Sequence, residues 1–207
     1  HDELYTNEVD VLRRLSGVPL VVPLLGTDVE TKSMLFPYAG KSLHTLRSDF
    51  SFAFQQIVKA LKQVHEKGVI HGDVRPSNIV VDGSSNAVKL IDFGHAMILE
   101  NEKSTITTFW RGSCSYVPQS HALALTVPSD FRVLMEYSFA TDLESLVKSF
   151  VLMTFSPMAC VGLEFSNPRS PSTGEWSAYH SAWEKRLNEY GALNALVMHA
   201  RQVDYDG

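Results

Sequence analysis

The 207-residue sequence predicts an α+β fold, and three observations carry that reading. Ile57, Val58, Leu61 and Val64 recur at the spacing of an amphipathic helix. Ile79-Val80-Val81 and Val88-Lys89-Leu90-Ile91 are two short apolar runs separated by Asp82-Gly83-Ser84-Ser85-Asn86, a stretch of turn formers, and they read as two strands joined by a turn. The run through Val147, Phe150, Val151, Leu152 and Met153 is apolar on most sides, as expected of a helix buried all round.

In chain order, Asn7 to Leu15 predicts a helix, with Asn7 as its cap and Gly17 as its stop. Leu20 to Leu25 and Met34-Leu35-Phe36 read as strands with a turn near Gly26-Thr27-Asp28. The helix around Ile57 to Val64 takes Asp49 or Ser51 as its cap and ends before Gly68. The two strands then lead through a longer segment to the helix that opens at Thr141-Asp142-Leu143-Glu144. Ser166 to Gly174 reads as a surface loop, and Trp183, Leu187, Leu193, Leu196 and Val197 as the core of one or two closing helices.

The residues that point to chemistry are His71-Gly72-Asp73-Val74-Arg75-Pro76-Ser77-Asn78 and, fourteen positions after Asn78, Asp92-Phe93-Gly94. This order and spacing resemble the catalytic signature of the protein-kinase-like superfamily. The resemblance implies a reduced N-terminal lobe over 1–40 and a mainly helical C-terminal lobe over 41–207. It implies Asp73 as the acceptor of a substrate hydroxyl proton, Asn78 and Asp92 as Mg2+ ligands, and ATP as the phosphate donor. Arg75 stands where a Lys usually reaches the transferred phosphate; a guanidinium can fork two phosphate oxygens and stays charged. Phe36 would guard the back of the adenine pocket and Pro37-Tyr38-Ala39-Gly40 would form the hinge, with Tyr38 and Val80 as nucleotide contacts and Glu8 as partner of a strand lysine. By the same resemblance Asp142 holds the catalytic loop backbone; His71 reads as a core histidine packing against Phe93 rather than a catalytic base.

The 50 residues from Asp92 to Asp142 leave room for an activation segment, which favours Ser/Thr of a protein as substrate, with a regulatory partner protein as a further expectation. Three departures qualify the match. Gly72 replaces the Arg that usually pairs with a phosphorylated segment, so Ser104, Thr105, Thr107 and Thr108 lack the usual charge partner for a switch. Gln119 replaces the Glu that ordinarily anchors the end of that segment. Only seven residues precede Glu8, too few for a Gly-rich loop and its lysine. Either those strands lie on an upstream piece or the fold is trimmed. A kinase-fold binding module without phosphate transfer is therefore a second reading, and a small-molecule phosphotransferase a third, because His-Gly-Asp loops also occur in aminoglycoside and choline phosphotransferases. Glu8 can also be read as a solvated carboxylate near a helix start.

Composition narrows the alternatives. A net charge of -5 gives no basic footprint for nucleic acid. No apolar run approaches the roughly 18 residues of a membrane span, and no signal-peptide pattern opens the chain. Cys114 and Cys160 are ordinary thiols without metal-ligand spacing. The expected location is intracellular, in cytoplasm or nucleus. The tail from Ala200 to Gly207 resembles the ends of kinase-like domains of fungal expansions and of Crinkler-type effectors, which would place the protein inside a host cell after secretion.

Overall fold

The computed structural model describes residues 2–46, 50–99, 105–126, 134–154, 165, 171–189 and 191. Helix α1, Asp2–Arg14, buries Val9, Val11 and Leu12 on one face, and Leu15 just beyond it joins the same core. It starts five residues before the expected cap. Asn7 therefore sits inside the helix, and its side chain donates to the carbonyls of Gly94 (3.3 Å) and Ala96 (2.9 Å), long-range acceptors that a local reading does not reveal. Gly17, at φ +84, supplies the left-handed residue after the helix.

The expected strand over Leu20 to Leu25 does not form. Pro23 removes a ladder donor in mid-run, and the segment keeps a parallel bridge from Val21 to Leu90 and a bond from the Leu25 N–H to the Leu35 carbonyl. Strand β1 is instead Gly26–Asp28, placed where a turn was expected, paired antiparallel with β2, Ser33–Leu35. The turn moves to Val29–Lys32 because Asp28 Oδ1 accepts the N–H groups of Glu30 (2.9 Å) and Thr31 (3.1 Å).

After β3 (Lys41–Ser42) and α2 (Leu43–Leu46), helix α3, Phe50–Glu66, buries Ala53, Ile57, Ala60, Leu61 and Val64 as its spacing predicts. Ser51 lies within this helix rather than capping it, and Asp49 lies outside the described residues. β4 (Val69–Ile70), β5 (Ile79–Val81), β6 (Val88–Leu90) and β7 (Met97–Ile98) follow. β3, β5 and β6 make one antiparallel sheet with Ile79 opposite Leu90, and β4 pairs with β7.

β8, Thr105–Phe109, pairs antiparallel with β9, Leu134–Ser138, over five residue pairs, a ribbon the sequence did not announce. Helix α4, Gln119–Ala124, precedes that second strand. Helix α5, Phe139–Thr154, lies in the core as predicted, but buries Asp142, Glu144 and Lys148 beside Leu143, Leu146, Val147 and Val151. Helix α6, Thr173–Glu189, packs Trp176, Tyr179 and Trp183 into the cluster that reaches back to α1 and α3. Thr173 and Gly174 thus belong to a helix, not to the expected loop. Ser104, Cys160, Ser166 to Ser170, Leu193, Leu196, Val197 and the tail lie outside the described residues.

Candidate active site

The loop from His71 to Arg75 connects β4 to a 3-10 turn, Pro76–Asn78, which enters β5. Pro76 suits the first position of that turn, where an N–H would have no partner. The loop hangs from one carboxylate. Asp142, in the first turn of α5, accepts the N–H groups of His71 (2.7 Å) and Gly72 (2.9 Å) and contacts His65 Nε2 at 2.9 Å. His71 is buried, with its ring 4.7 Å from that of Phe93, and Nε2 lies 3.1 Å from the carbonyl of Ile91. Gly72 adopts φ +76, and a Cβ there would stand 2.7 Å from the carbonyl oxygen of His95. The backbone therefore demands glycine at the position where the resembled kinases usually carry an Arg.

Asp73 is buried, and both carboxylate oxygens are engaged. Oδ1 accepts the N–H of Ser113 at 2.7 Å. Oδ2 accepts Asn78 Nδ2 at 3.0 Å and lies 3.0 Å from Arg75 Nε, an ion-pair contact without hydrogen-bond alignment. Asn78 Nδ2 also donates to the Asp73 carbonyl at 3.0 Å, so its amide oxygen is the group left for another ligand. Gly112 lets the later segment come this close: at φ +91, a Cβ on it would fall 2.5 Å from the Gly72 carbonyl oxygen. A cleft of about 10 Å³ beside Asp73 is lined by Arg111, Ser113, Tyr116, Val117 and Pro118, room for about one water.

Asp92 is joined to this loop through the backbone, since the Ile91 N–H donates to the Asn78 carbonyl at 3.0 Å. Asp92 itself sits at φ +65, a conformation that short polar side chains tolerate best. With Glu8, Leu12, Val22, Phe36, Tyr38, Val80 and Ile91 it lines a cavity of about 370 Å³, within the range of small-ligand sites. Phe36, Tyr38, Val80 and Glu8 are thus brought together on one cavity with Asp92, while Asp73, Arg75 and Asn78 cluster beside it. Tyr38 is 83% exposed, so it forms rim rather than wall.

Glu8 accepts the Phe93 N–H at 3.2 Å. Burial and then the neighbouring Asp92 charge push its carboxyl above its ordinary value, against the lowering effect of that hydrogen bond and of His71. Glu8 is therefore more than a solvated carboxylate at a helix start. No Lys or Arg is among the described residues lining the cavity, so two carboxylates face it without a cation. The oxygen donors of Asp92 and Asn78 suit a hard divalent ion, and the apolar wall with the backbone of Pro37 to Gly40 suits a purine base.

The end of the segment that follows is held by Glu144 and by two residues the sequence reading passed over, Lys148 and His180. The Gln119 N–H donates to Glu144 Oε1 (2.6 Å), and Gln119 Nε2 donates to the His180 carbonyl (3.1 Å). Lys148 Nζ donates to the Val117 carbonyl at 2.5 Å. The expectation that losing the Glu weakens this anchor is answered by these contacts. The available signal was a lysine within a helix whose continuation from Val147 to Met153 is mostly apolar. Cys114 is buried beside the cleft and its thiol is pushed up to about 11 by desolvation, so it is inert rather than nucleophilic.

No described helix is long and apolar enough to cross a membrane. Comparison with known proteins agrees with the geometry. A probable serine/threonine-protein kinase of Dictyostelium discoideum is 35% identical over 99 residues, covering 43% of this chain and 16% of that protein. Serine/threonine-protein kinase 1 from two isolates of African swine fever virus is 27% identical over 141 residues, covering 60% of this chain and 47% of the viral protein. The chain thus spans about half or less of the length of these relatives. The family model described as protein kinase domain matches residues 1–120, more than half of the sequence, and the chain belongs to the protein kinase domain family.

Proposed function

We propose that the protein is an ATP- and magnesium-dependent phosphotransferase that moves the γ-phosphate to a Ser or Thr hydroxyl of a protein. The observation that carries this reading is the clustering of Asp73, Asn78 and Arg75, tied through the Asn78–Ile91 backbone bond to a cavity that Asp92 lines. In it, residues 1–40 serve as a reduced small lobe and 41–207 as the large lobe. The serine/threonine kinases it resembles support the protein substrate.

Asp92 and the Asn78 amide oxygen would hold magnesium with ATP, which when bound would supply the phosphoryl group and offset its negative charge. Asp73 Oδ1 keeps one lone pair beyond its bond from Ser113, and that lone pair orients the acceptor hydroxyl and takes its proton. Arg75, one-third exposed, keeps Oδ2 paired and presents the rest of its fork toward phosphate oxygens. Val80, Leu12 and Val22 give the base an apolar wall, with Phe36 and Tyr38 at its exposed rim, and the Glu8 and Asp92 carboxylates attract a cation to the cavity. Because the cleft beside Asp73 holds about one water, a peptide enters only as Ser113 to Pro118 give way.

The test is transfer of labelled phosphate from magnesium-ATP to a generic acceptor protein, with calorimetry of ATP binding alongside. Transfer should fall by about 10² or more in Asp73→Asn while binding persists, the usual size of a proton-transfer contribution. Binding should vanish in Asp92→Asn. Equal labelling by wild type and Asp73→Asn sinks the proposal, and absent magnesium-dependent binding leaves a kinase-fold binding module instead.

A further inference from the structure

We infer that Lys148 is a positioning residue that sets the wall of the acceptor site, adding a second hold on the segment to the one that Gln119 has through Glu144 and His180. The inference rests on the proposed kinase reading for its consequence, but its geometry stands independently. Lys148 is 1% exposed in the middle of α5, a place where an ammonium is costly unless its donors are met. They are met from two elements at once. Nζ donates to the Val117 carbonyl at 2.5 Å, lies 3.4 Å from Gln119 Oε1 and 3.5 Å from the Tyr179 hydroxyl. It also sits over the rings of Tyr179 and Trp183, 5.0 and 4.8 Å from their centroids, where the ring faces favour a cation.

The same aromatic cage reaches the chain on its other side, because the Tyr179 hydroxyl donates to the Ser115 carbonyl at 2.8 Å. Lys148 and Tyr179 thereby hold alternate residues, Val117 and Ser115, of one short stretch. That stretch carries Ser113, whose N–H sits on Asp73 Oδ1, and Tyr116, Val117 and Pro118, which line the cleft beside it. A displaced Val117 carbonyl therefore moves the wall against which an acceptor residue rests. Its contacts to the Val117 carbonyl, Gln119 and Tyr179 place its effect on the segment rather than on the reacting atoms.

Apolar filling alone would be served by methionine, which matches the length of Lys148 and packs well on aromatic rings. Lys148→Met thus keeps the volume and removes the donors together with the charge that sits over the Tyr179 and Trp183 rings. In the full protein, amide exchange should accelerate about tenfold or more at Ser115 to Gln119, the scale of one lost charge-assisted hydrogen bond, and stay unchanged in α3 and β5–β6. KM for an acceptor peptide should rise about as much while ATP affinity by calorimetry holds. If Lys148→Met does not fold, Tyr179→Phe, which retains the ring, should show the same local acceleration at Ser115 to Val117. Unchanged exchange in that stretch, or acceleration spread evenly over the protein, overturns the inference. A wild type without phosphate transfer overturns the kinase reading, whereas the exchange pattern still decides the role of Lys148.

Discussion

Asn78 Nδ2 donates to both the carbonyl and the Oδ2 of Asp73, each at 3.0 Å. One amide thus fixes the loop's backbone and the orientation of its buried carboxylate, and by doing so turns its own oxygen outward. The Ile91 N–H on the Asn78 carbonyl then ties this unit to the residue before Asp92. Substituents of these positions test the arrangement.

Asn78→Ala removes two donors from a buried carboxylate and carbonyl. Leaving such acceptors unmet costs about 1–3 kcal/mol. A urea midpoint should fall with unchanged slope, and phosphate transfer should be lost together with magnesium-dependent ATP binding.

Gly72→Arg restores the residue usual at that position, yet it should install no phosphorylation switch. The φ of +76 and the 2.7 Å approach of a Cβ to the His95 carbonyl oxygen oppose any side chain. Strain of this kind costs about 1–3 kcal/mol, and a thermal melt should show the drop whether or not Thr105, Thr107 or Thr108 is phosphorylated.

Asp142→Ala leaves the N–H groups of His71 and Gly72 and the buried His65 ring without their shared acceptor. Breaking a buried charged network of this kind costs about 3–5 kcal/mol. Denaturant unfolding should register that loss, and a near-wild-type midpoint would show that the loop is held by something else.

Glu8 gives a pH dependence of defined sign. Its carboxyl is raised above the ordinary 4.5 by burial and by Asp92, so the folded protein holds that proton more tightly than the unfolded chain. Stability contributed by the protonated form is present below 4.5 and declines as pH climbs through the raised folded value. Glu8→Gln should flatten this part of a melting-temperature scan against pH. A divalent cation in the cavity should flatten it too, by favouring the charged pair.

The local and the long-range features of this protein separate cleanly. The helix about Ile57 to Val64, the strands about Ile79 to Val81 and Val88 to Leu90, and the order of Asp73, Asn78 and Asp92 are legible in the sequence, because side-chain periodicity and motif spacing are properties of neighbouring residues. Asn7 read as a cap and became a mid-helix donor to Gly94 and Ala96, since its acceptors lie more than 80 positions away. Thr105 to Phe109 gave no alternation to mark a strand, and its partner from Leu134 to Ser138 follows only after a long excursion. Sequence by itself determined the α+β class and which acceptors stand in the candidate site. Tertiary structure alone decided that Asp142 suspends the loop, that Glu8 faces Asp92, and that Lys148 holds Val117. A buried charge must find its partner wherever the folded chain brings one, and no spacing rule names that partner in advance.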